Sequence, residues 1–141
     1  MVILAVDLGL ARTGIAVSDE GEIFAFPKTV VHEYNADRLV EKIAALAKDY
    51  GAGKIVVGYP VNMDGSAGER AQTCKELADR IREASGLEVV LRDERLTTVA
   101  AYAVLNENNV RGKKRKEIVD AEAACQLLQD YLDFCRHARK D

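Results

Sequence analysis

Four carboxylates in this sequence stand where an apolar element ends or turns inward, and they are the residues best suited to chemistry. Asp7 follows residues 2–6, an apolar and mostly β-branched run that predicts a strand buried on both faces of a sheet. Asp93 and Glu94 follow a second such strand, and Asp120 lies on the apolar stripe of the last predicted helix. An ionised carboxylate at a buried position is costly unless a cation meets it. The pattern therefore indicates either internal ion pairs or a metal site.

Each carboxylate also has a structural interpretation. Asp7 could occupy the solvated turn of a β-hairpin, and Asp120 could pair with an arginine such as Arg12 or Arg95. Neighbouring residues of a strand point to opposite faces, so only one of Asp93 and Glu94 can point toward Asp7. We favour Glu94 and leave Asp93 as the alternative, which would orient Arg95 or cap the following helix.

These carboxylates would repel one another when brought together, and a divalent cation bound between them would offset that repulsion. Magnesium prefers carboxylates, waters and phosphate oxygens, and a pair of such ions supports phosphodiester hydrolysis. Zinc chemistry is disfavoured because the chain has two histidines and its three cysteines show no CxxC spacing. We expect reduced core thiols at Cys74, Cys125 and Cys135.

A basic run is the second feature that suits chemistry. It consists of Arg111, Lys113, Lys114, Arg115 and Lys116, five positive charges that leave −8 on the rest of a chain whose net charge is −3. Such a cluster focuses the attraction of a polyanion on one place, so the run and Arg12 are candidates for holding a nucleic-acid backbone. The alternative is a solvated loop between two helices.

The hydrophobic pattern predicts the elements that position these residues. A hairpin of two strands leads to a third strand over residues 23–32, and Pro27 favours an edge position for it. Further strands are expected over 54–59 and 88–92, with the first of them parallel to the opening strand. Helices are expected over 36–50, 69–84, 97–108 and 116–137. The 141 residues fit one domain, 1–141, and the absence of a membrane span or leader pattern indicates a cytoplasmic protein.

Four segments in this order resemble the YqgF/RuvX family, a bacterial family related to Holliday-junction resolvases. They are DLGLARTGIAVSD at 7–19, GYPVNMDGS at 58–66, DERLTT at 93–98 and VDAEAACQLLQ at 119–129. The resemblance covers essentially the whole chain, and DERLTT is its most specific part. Two positions depart from the family pattern: Ala11 where a basic residue is frequent, and Ala121 where a serine often follows the helix aspartate. Neither is an acid, so we expect them to affect substrate contacts only.

The resemblance implies an α/β, ribonuclease-H-like fold: a five-stranded mixed sheet of order 3-2-1-4-5 with helices on both faces. It implies that Asp7, Glu94 and Asp120 are the metal-binding catalytic acids, with Mg²⁺ or Mn²⁺ as cofactor. The expected function is a nuclease that processes the ends of pre-16S ribosomal RNA in ribosome biogenesis. Arg12, Arg95 and the basic run would then bind RNA, with ribosomal precursor particles as further partners and a monomer or weak dimer as the oligomeric state.

Three other functions compete with this one. A Holliday junction resolvase would cut branched DNA, but it must act as a symmetric dimer, and the sequence leaves no long apolar stripe for that interface. A non-catalytic RNA-binding factor in ribosome assembly or transcription would keep the fold and the basic run. An actin-like or sugar-kinase ATPase shares an early Asp-x-Gly, but such enzymes use two domains of this kind.

Overall fold

The structure is a computed structural model that describes residues 1–9, 12–59, 69–93 and 112–139. Within these ranges, the side chains of residues 59, 69–71, 93, 112–120 and 139 are outside the description. The chain forms β1 (Val2–Asp7), β2 (Arg12–Ser18), β3 (Ala25–His32), α1 (Ala36–Asp49), β4 (Ala52–Tyr59), α2 (Glu69–Ser85), β5 (Glu88–Asp93) and α3 (Gly112–Arg139).

The five strands form one mixed sheet of order β3-β2-β1-β4-β5, which confirms the predicted fold class. β1 pairs antiparallel with β2 and parallel with β4, and β4 pairs parallel with β5. β1 is therefore central, and its carboxyl end lies at the same edge as those of β4 and β5. That edge is where open α/β sheets place their functional sites.

β3 is an edge strand, as Pro27 predicts, but it begins at Ala25 rather than at residue 23. The reason is Asp19, whose Oδ1 accepts hydrogen bonds from the backbone N–H groups of Ile23 and Phe24 at 2.8 and 3.0 Å. Those two donors are thereby committed to a turn. A bulge at Lys28 interrupts the pairing, because Ile15 lies opposite Thr29 while the next residue of β2 lies opposite Pro27.

The core has one layer on each face of the sheet. On one face, β1 and β2 pack against α1 and α2 through a cluster that includes Leu4, Val6, Ile15, Ile43, Ile55 and Ile81. On the other face, they pack against α3 through Ile3, Ala5, Ala16, Val56, Ala124, Leu127, Leu128 and Leu132. Because α3 supplies small alanines on its buried side, it can approach the sheet closely.

The helix ends confirm most of the predicted boundaries. Asn35 caps α1 by accepting from the backbone N–H of Arg38 at 3.1 Å, and Gly51 follows with a φ of +68°. Gly86 ends α2 in the same way with a φ of +72°. The predicted helix over 97–108 lies outside the described residues.

α3 begins earlier than predicted. It starts at Gly112, so residues 113–116 of the basic run form part of its first turns instead of a solvated loop. The prediction was wrong because lysine and arginine are good helix formers that a charge pattern alone does not place.

The cysteines agree with the expectation of free thiols. Cys74 is buried in the core, while Cys125 and Cys135 are half-buried against the α3 layer. Burial raises the pKa of Cys125 to about 11, so its thiol is unreactive near neutral pH. In the described ranges, no helix is long and apolar enough to cross a membrane.

Candidate active site

Asp7 lies at the carboxyl end of the central strand and is half-buried. Its neighbours in register are Gly14 on β2 and Gly58 on β4. Since neither glycine has a side chain, the sheet surface on both sides of the Asp7 carboxylate is free of neighbouring side chains from these two positions. A carboxylate in such a setting can bind a metal ion or accept a hydrogen bond from a group that a larger neighbour would displace.

The alternation of β1 shows which face of the sheet Asp7 occupies. Ile3 and Ala5 are buried in the layer against α3, whereas Leu4 and Val6 are buried in the layer against α1 and α2. Asp7 shares the phase of Ile3 and Ala5, so its side chain belongs to the face covered by α3. The helix that carries Asp120 covers the same face.

Gly9 holds the beginning of β2 close to the end of β1. A Cβ at Gly9 would lie 2.1 Å from the carbonyl oxygen of Arg12, closer than non-bonded atoms can approach. Arg12 opens β2 and lies opposite His32 on β3. The hairpin therefore places Arg12, a predicted substrate contact, at the same sheet edge as Asp7.

Arg92 is a residue at this edge that the sequence analysis did not identify. It lies opposite Gly58, the residue that also lies beside Asp7. Val90 of the same strand packs in the layer against α3, so Arg92 shares the face of Asp7. The sequence alone hardly indicates this, because only the strand register shows that an arginine at the end of β5 lies level with Asp7.

Lys54 and Tyr131 form a polar contact further down the same face. The Nζ of Lys54 donates to the hydroxyl of Tyr131 at 3.2 Å and pairs with Glu88 at 3.3 Å. The bond to Tyr131 raises the pKa of Lys54, and burial raises the pKa of Tyr131. Both groups therefore keep their protons at neutral pH and support the packing of α3.

The remaining predicted site residues lie partly or wholly beyond the described part of the chain. Glu94, Arg95 and Arg111 fall outside it, while Asp120 and residues 113–116 belong to α3 with backbone description only. Among the residues that are described, no group of three or more histidines, cysteines or carboxylates is close enough to hold a metal. The described donor at the edge, the carboxylate of Asp7, has the hard oxygen atoms that a magnesium-like ion prefers.

Comparison with known proteins identifies relatives over nearly the whole chain. Residues 1–134 match the family model described as "RuvX: Holliday junction resolvase". A protein of Agathobacter rectalis named "Putative pre-16S rRNA nuclease" is 41% identical over 142 residues, which cover 99% of each chain.

Solved structures show likeness of fold alone. The RuvC protein of Thermus thermophilus in complex with a Holliday junction substrate aligns with a TM-score of 0.62 at 16% identity, over 98% of this chain and 96% of that one. A ROK hexokinase from Thermus thermophilus aligns with a TM-score of 0.50 at 20% identity, over 72% of this chain but only 38% of the kinase. The kinase likeness therefore concerns a part of a larger enzyme. The extent of the family match, together with the agreement in fold, shows that this chain belongs to the RuvX family.

Proposed function

We propose that this protein is a metal-dependent nuclease that hydrolyses phosphodiester bonds and processes the ends of pre-16S ribosomal RNA in ribosome biogenesis. The observation that carries this proposal is the 41% identity, over 99% of both chains, to a relative named for that activity. The geometry agrees with it, because a half-buried carboxylate stands at the functional edge of the sheet between two glycines.

Asp7, Glu94 and Asp120 are the proposed catalytic and metal-binding acids. Support for Glu94 over Asp93 comes from the sequence, because neighbouring residues of a strand alternate between the two faces and DERLTT at 93–98 resembles the family's motif. Support for Asp120 comes from α3, where Ala124 is fully buried and lies one helical turn after it. Asp7 thus shares the phase of Ala5, and Asp120 lies one turn before Ala124; Ala5 and Ala124 are both buried in the layer between the sheet and α3.

A divalent cation is the cofactor that this set of acids suits, and nucleases of this fold generally use one. We propose Mg²⁺ or Mn²⁺, which would stabilise the charge on the attacking and leaving oxygens of the phosphodiester. Asp7 contributes oxygen ligands from a fixed strand end. The two glycines beside Asp7 leave room for the phosphate and for the attacking water.

Nucleic acid is the proposed partner. Arg12, Arg95 and the basic run would bind the backbone of the RNA, and ribosomal precursor particles would present it. We further propose that residues 1–141 act as one nuclease domain, as a monomer or weak dimer, in the cytoplasm.

The test is cleavage of a pre-16S RNA fragment and of a four-way DNA junction, each with Mg²⁺, Mn²⁺ or chelator. We expect metal-dependent cleavage of the RNA, reduced at least ~100-fold in both Asp7→Asn and Asp120→Asn. Asp49→Asn is the matched control, because Asp49 is exposed at the end of α1 and its loss should leave cleavage unchanged. Unchanged turnover in the Asp7 variant would refute the site assignment.

The other outcomes identify the alternative functions. Resolution of branched DNA is the second candidate, favoured by the family's description and by the fold shared with RuvC. Metal-dependent cutting of the junction alone would establish that function. Tight RNA binding without cutting of either substrate would identify a non-catalytic assembly or transcription factor.

A further inference from the structure

We propose that residues 19–26, which form the turn between β2 and β3 and the start of β3, are a docking surface for a protein partner. The partner is a positively charged segment with apolar side chains, carried by a protein that is bound to the precursor RNA. This inference rests on the proposed function and names a partner for it. It comes from the exposure of the apolar side chains, from the fixed backbone that carries them and from the charge of the turn.

Exposed apolar side chains concentrate at this end of the sheet. In the described ranges, seven large apolar side chains are exposed, and four of them lie here: Met1, Ile23, Phe24 and Phe26, which are 52%, 38%, 59% and 47% accessible. Met1 belongs to the group because its amino group donates to the backbone oxygen of Glu20 at 2.7 Å. Clustered apolar exposure marks interaction surfaces, whereas single exposed side chains do not.

The backbone that carries Phe24 is fixed from two sides. The carboxylate of Asp19 accepts from the N–H groups of Ile23 and Phe24, and the N–H of Asp19 donates to the carbonyl oxygen of Phe24 at 3.1 Å. From α3, the side-chain amide of Gln129 donates to the carbonyl oxygen of Ile23 at 2.8 Å and accepts from the N–H of Ala25 at 2.9 Å. A partner would therefore not have to order this segment, which lowers the entropic cost of binding.

The turn itself is acidic. Asp19, Glu20 and Glu22 stand within four residues, and no lysine or arginine occurs in residues 13–27. The amino group of Met1 lies 3.2 Å from Oε2 of Glu22 and offsets one of the three charges, while Glu20 is exposed. A negative surface repels a nucleic-acid backbone and attracts a positively charged protein.

A second copy of this chain fits the surface less well. A symmetric contact would place the same turn on both sides of the interface, so its carboxylates would oppose one another. Strand pairing is also hindered, because Pro27 has no N–H and the bulge at Lys28 interrupts the ladder. The occupant is therefore a different protein, which binds through side chains.

The surface leaves the Asp7 edge free for RNA. Asp7 lies opposite Gly14, while Phe26 lies opposite Val17, three residues further along β2 and away from that edge. Three residues of a strand span ~10 Å. Val17 packs in the layer against α1 and α2, so Phe26 points to the face opposite Asp7. A protein partner and its bound RNA can thus contact this chain at the same time.

The test compares binding to small-subunit precursor particles with binding to protein-free pre-16S RNA. Phe134→Ser is the matched control for Phe24→Ser, because the two rings are 60% and 59% accessible and Phe134 lies on α3. We expect Phe24→Ser to bind the particles ~10-fold more weakly and the free RNA like the wild type. Phe134→Ser should match the wild type on both, and thermal unfolding is measured in parallel.

Glu20→Lys tests the charge of the surface, with Glu41→Lys as its control. Both glutamates are exposed, and Glu41 lies on α1. We expect Glu20→Lys to bind the particles at least ~3-fold more weakly than Glu41→Lys, and both variants to bind the free RNA equally. Equal binding of these two variants to the particles would overturn the proposal. If Phe24→Ser fails to fold, this comparison decides.

Replacing Phe26 with the photoreactive benzoylphenylalanine identifies the occupant on the same particles. A cross-link to a particle protein of positive net charge supports the proposal. Cross-links to RNA or to a second copy of this chain would overturn it, as would equal binding of Phe24→Ser and the wild type to the particles. The proposed function is tested separately, because it fails if the wild type cleaves neither protein-free RNA nor branched DNA.

Discussion

At the scale of single residues, Gly9 fixes the distance between the acid and the arginine of the hairpin. Any other residue at position 9 would place its Cβ 2.1 Å from the carbonyl oxygen of Arg12, so the backbone would have to move. We expect Gly9→Ala to lower the free energy of unfolding by ~2 kcal/mol. Cleavage should fall at least ~10-fold, because small displacements of catalytic groups are costly. Urea unfolding and turnover measure the two effects.

The control for Gly9 is Gly51→Ala. Gly51 has a φ of +68°, so alanine there is strained, but it precedes β4 at the sheet edge opposite Asp7. This variant should lose stability and keep its specific activity. Full activity in Gly9→Ala would show that the hairpin does not position the site.

Asp19 makes the stability of the fold depend on pH. Hydrogen bonds from the backbone N–H groups of Phe24 and Ile23 lower the pKa of Asp19 below its usual 3.8. Since the folded value is the lower one, the stabilisation is present above pH 3.8 and is lost as the pH falls through the folded pKa. Asp19→Asn keeps an acceptor oxygen but not the charge. The difference in urea midpoint between the wild type and this variant should shrink from pH 6 to ~pH 2.5. A constant difference would contradict the assignment.

At the scale of elements, the first turns of α3 combine a helix N-terminus with positive charge. Residues 113–116 are all basic, and the first turn of this helix contains no acidic residue. Cations at this end oppose the helix dipole, so the fold gains nothing from them, whereas a bound phosphate would be favoured by both the dipole and the charge. The proposed binding of a nucleic-acid backbone would give these cations a role that helix stability does not.

Changing Lys113, Lys114 and Lys116 to Gln should therefore have opposite effects on folding and on binding. We expect the free energy of unfolding to rise by ~1 kcal/mol, because the unfavourable interaction of these cations with the helix dipole is removed. RNA binding should weaken, with a salt slope lower by about two to three. The control changes Lys28, Lys42 and Lys48, on the α1 side of the sheet, to Gln and so removes the same charge. This variant should keep the salt slope of the wild type. An unaltered slope in the α3 variant would identify the run as a solvated helix end.

The elements also show what the sequence could and could not predict. The periodicity of the strands and helices is local, and so is the apolar run that ends at Asp7, which is why these were predicted correctly. The start of β3 depends on which N–H groups Asp19 accepts from, and the position of Arg92 level with Asp7 depends on its register with Gly58. The first is a local turn that the alternation of apolar residues does not show. The second is a pairing between distant residues, which no single stretch encodes. The assignments of Glu94 and of the Asp120 side chain stay predictions.

At the scale of the whole molecule, the two faces of the sheet differ in what they can do. One face is closed by α1 and α2 over a continuous apolar layer. The other face is covered by α3, whose buried contacts are with β1 to β4, and it carries Asp7 and Arg92 at its edge. A protein with net charge −3 thus places Arg12 at the same sheet edge as its candidate acid. The local charge, and not the total charge, would guide a polyanion to this edge.

The sheet edges bear on whether two such sites can act together. A resolvase must hold two copies symmetrically to cut paired strands. β3 resists pairing with a second copy, because Pro27 lacks a donor and the bulge at Lys28 distorts the ladder. The exposed Phe24 and Phe26, 59% and 47% accessible, lie toward the end of β3 away from the Asp7 edge. A dimer formed through them would separate the two sites.

We therefore expect independent cuts by single copies. In sedimentation equilibrium at micromolar concentration, the protein should behave as a monomer. On a supercoiled plasmid with an extruded cruciform, any cleavage should accumulate nicked circles before linear product, because one copy cuts one strand at a time. Phe26→Ser should change neither result, which controls for association through β3. Linear product at the earliest times would require two coordinated active sites. That result would favour a junction resolvase over a ribosomal RNA nuclease.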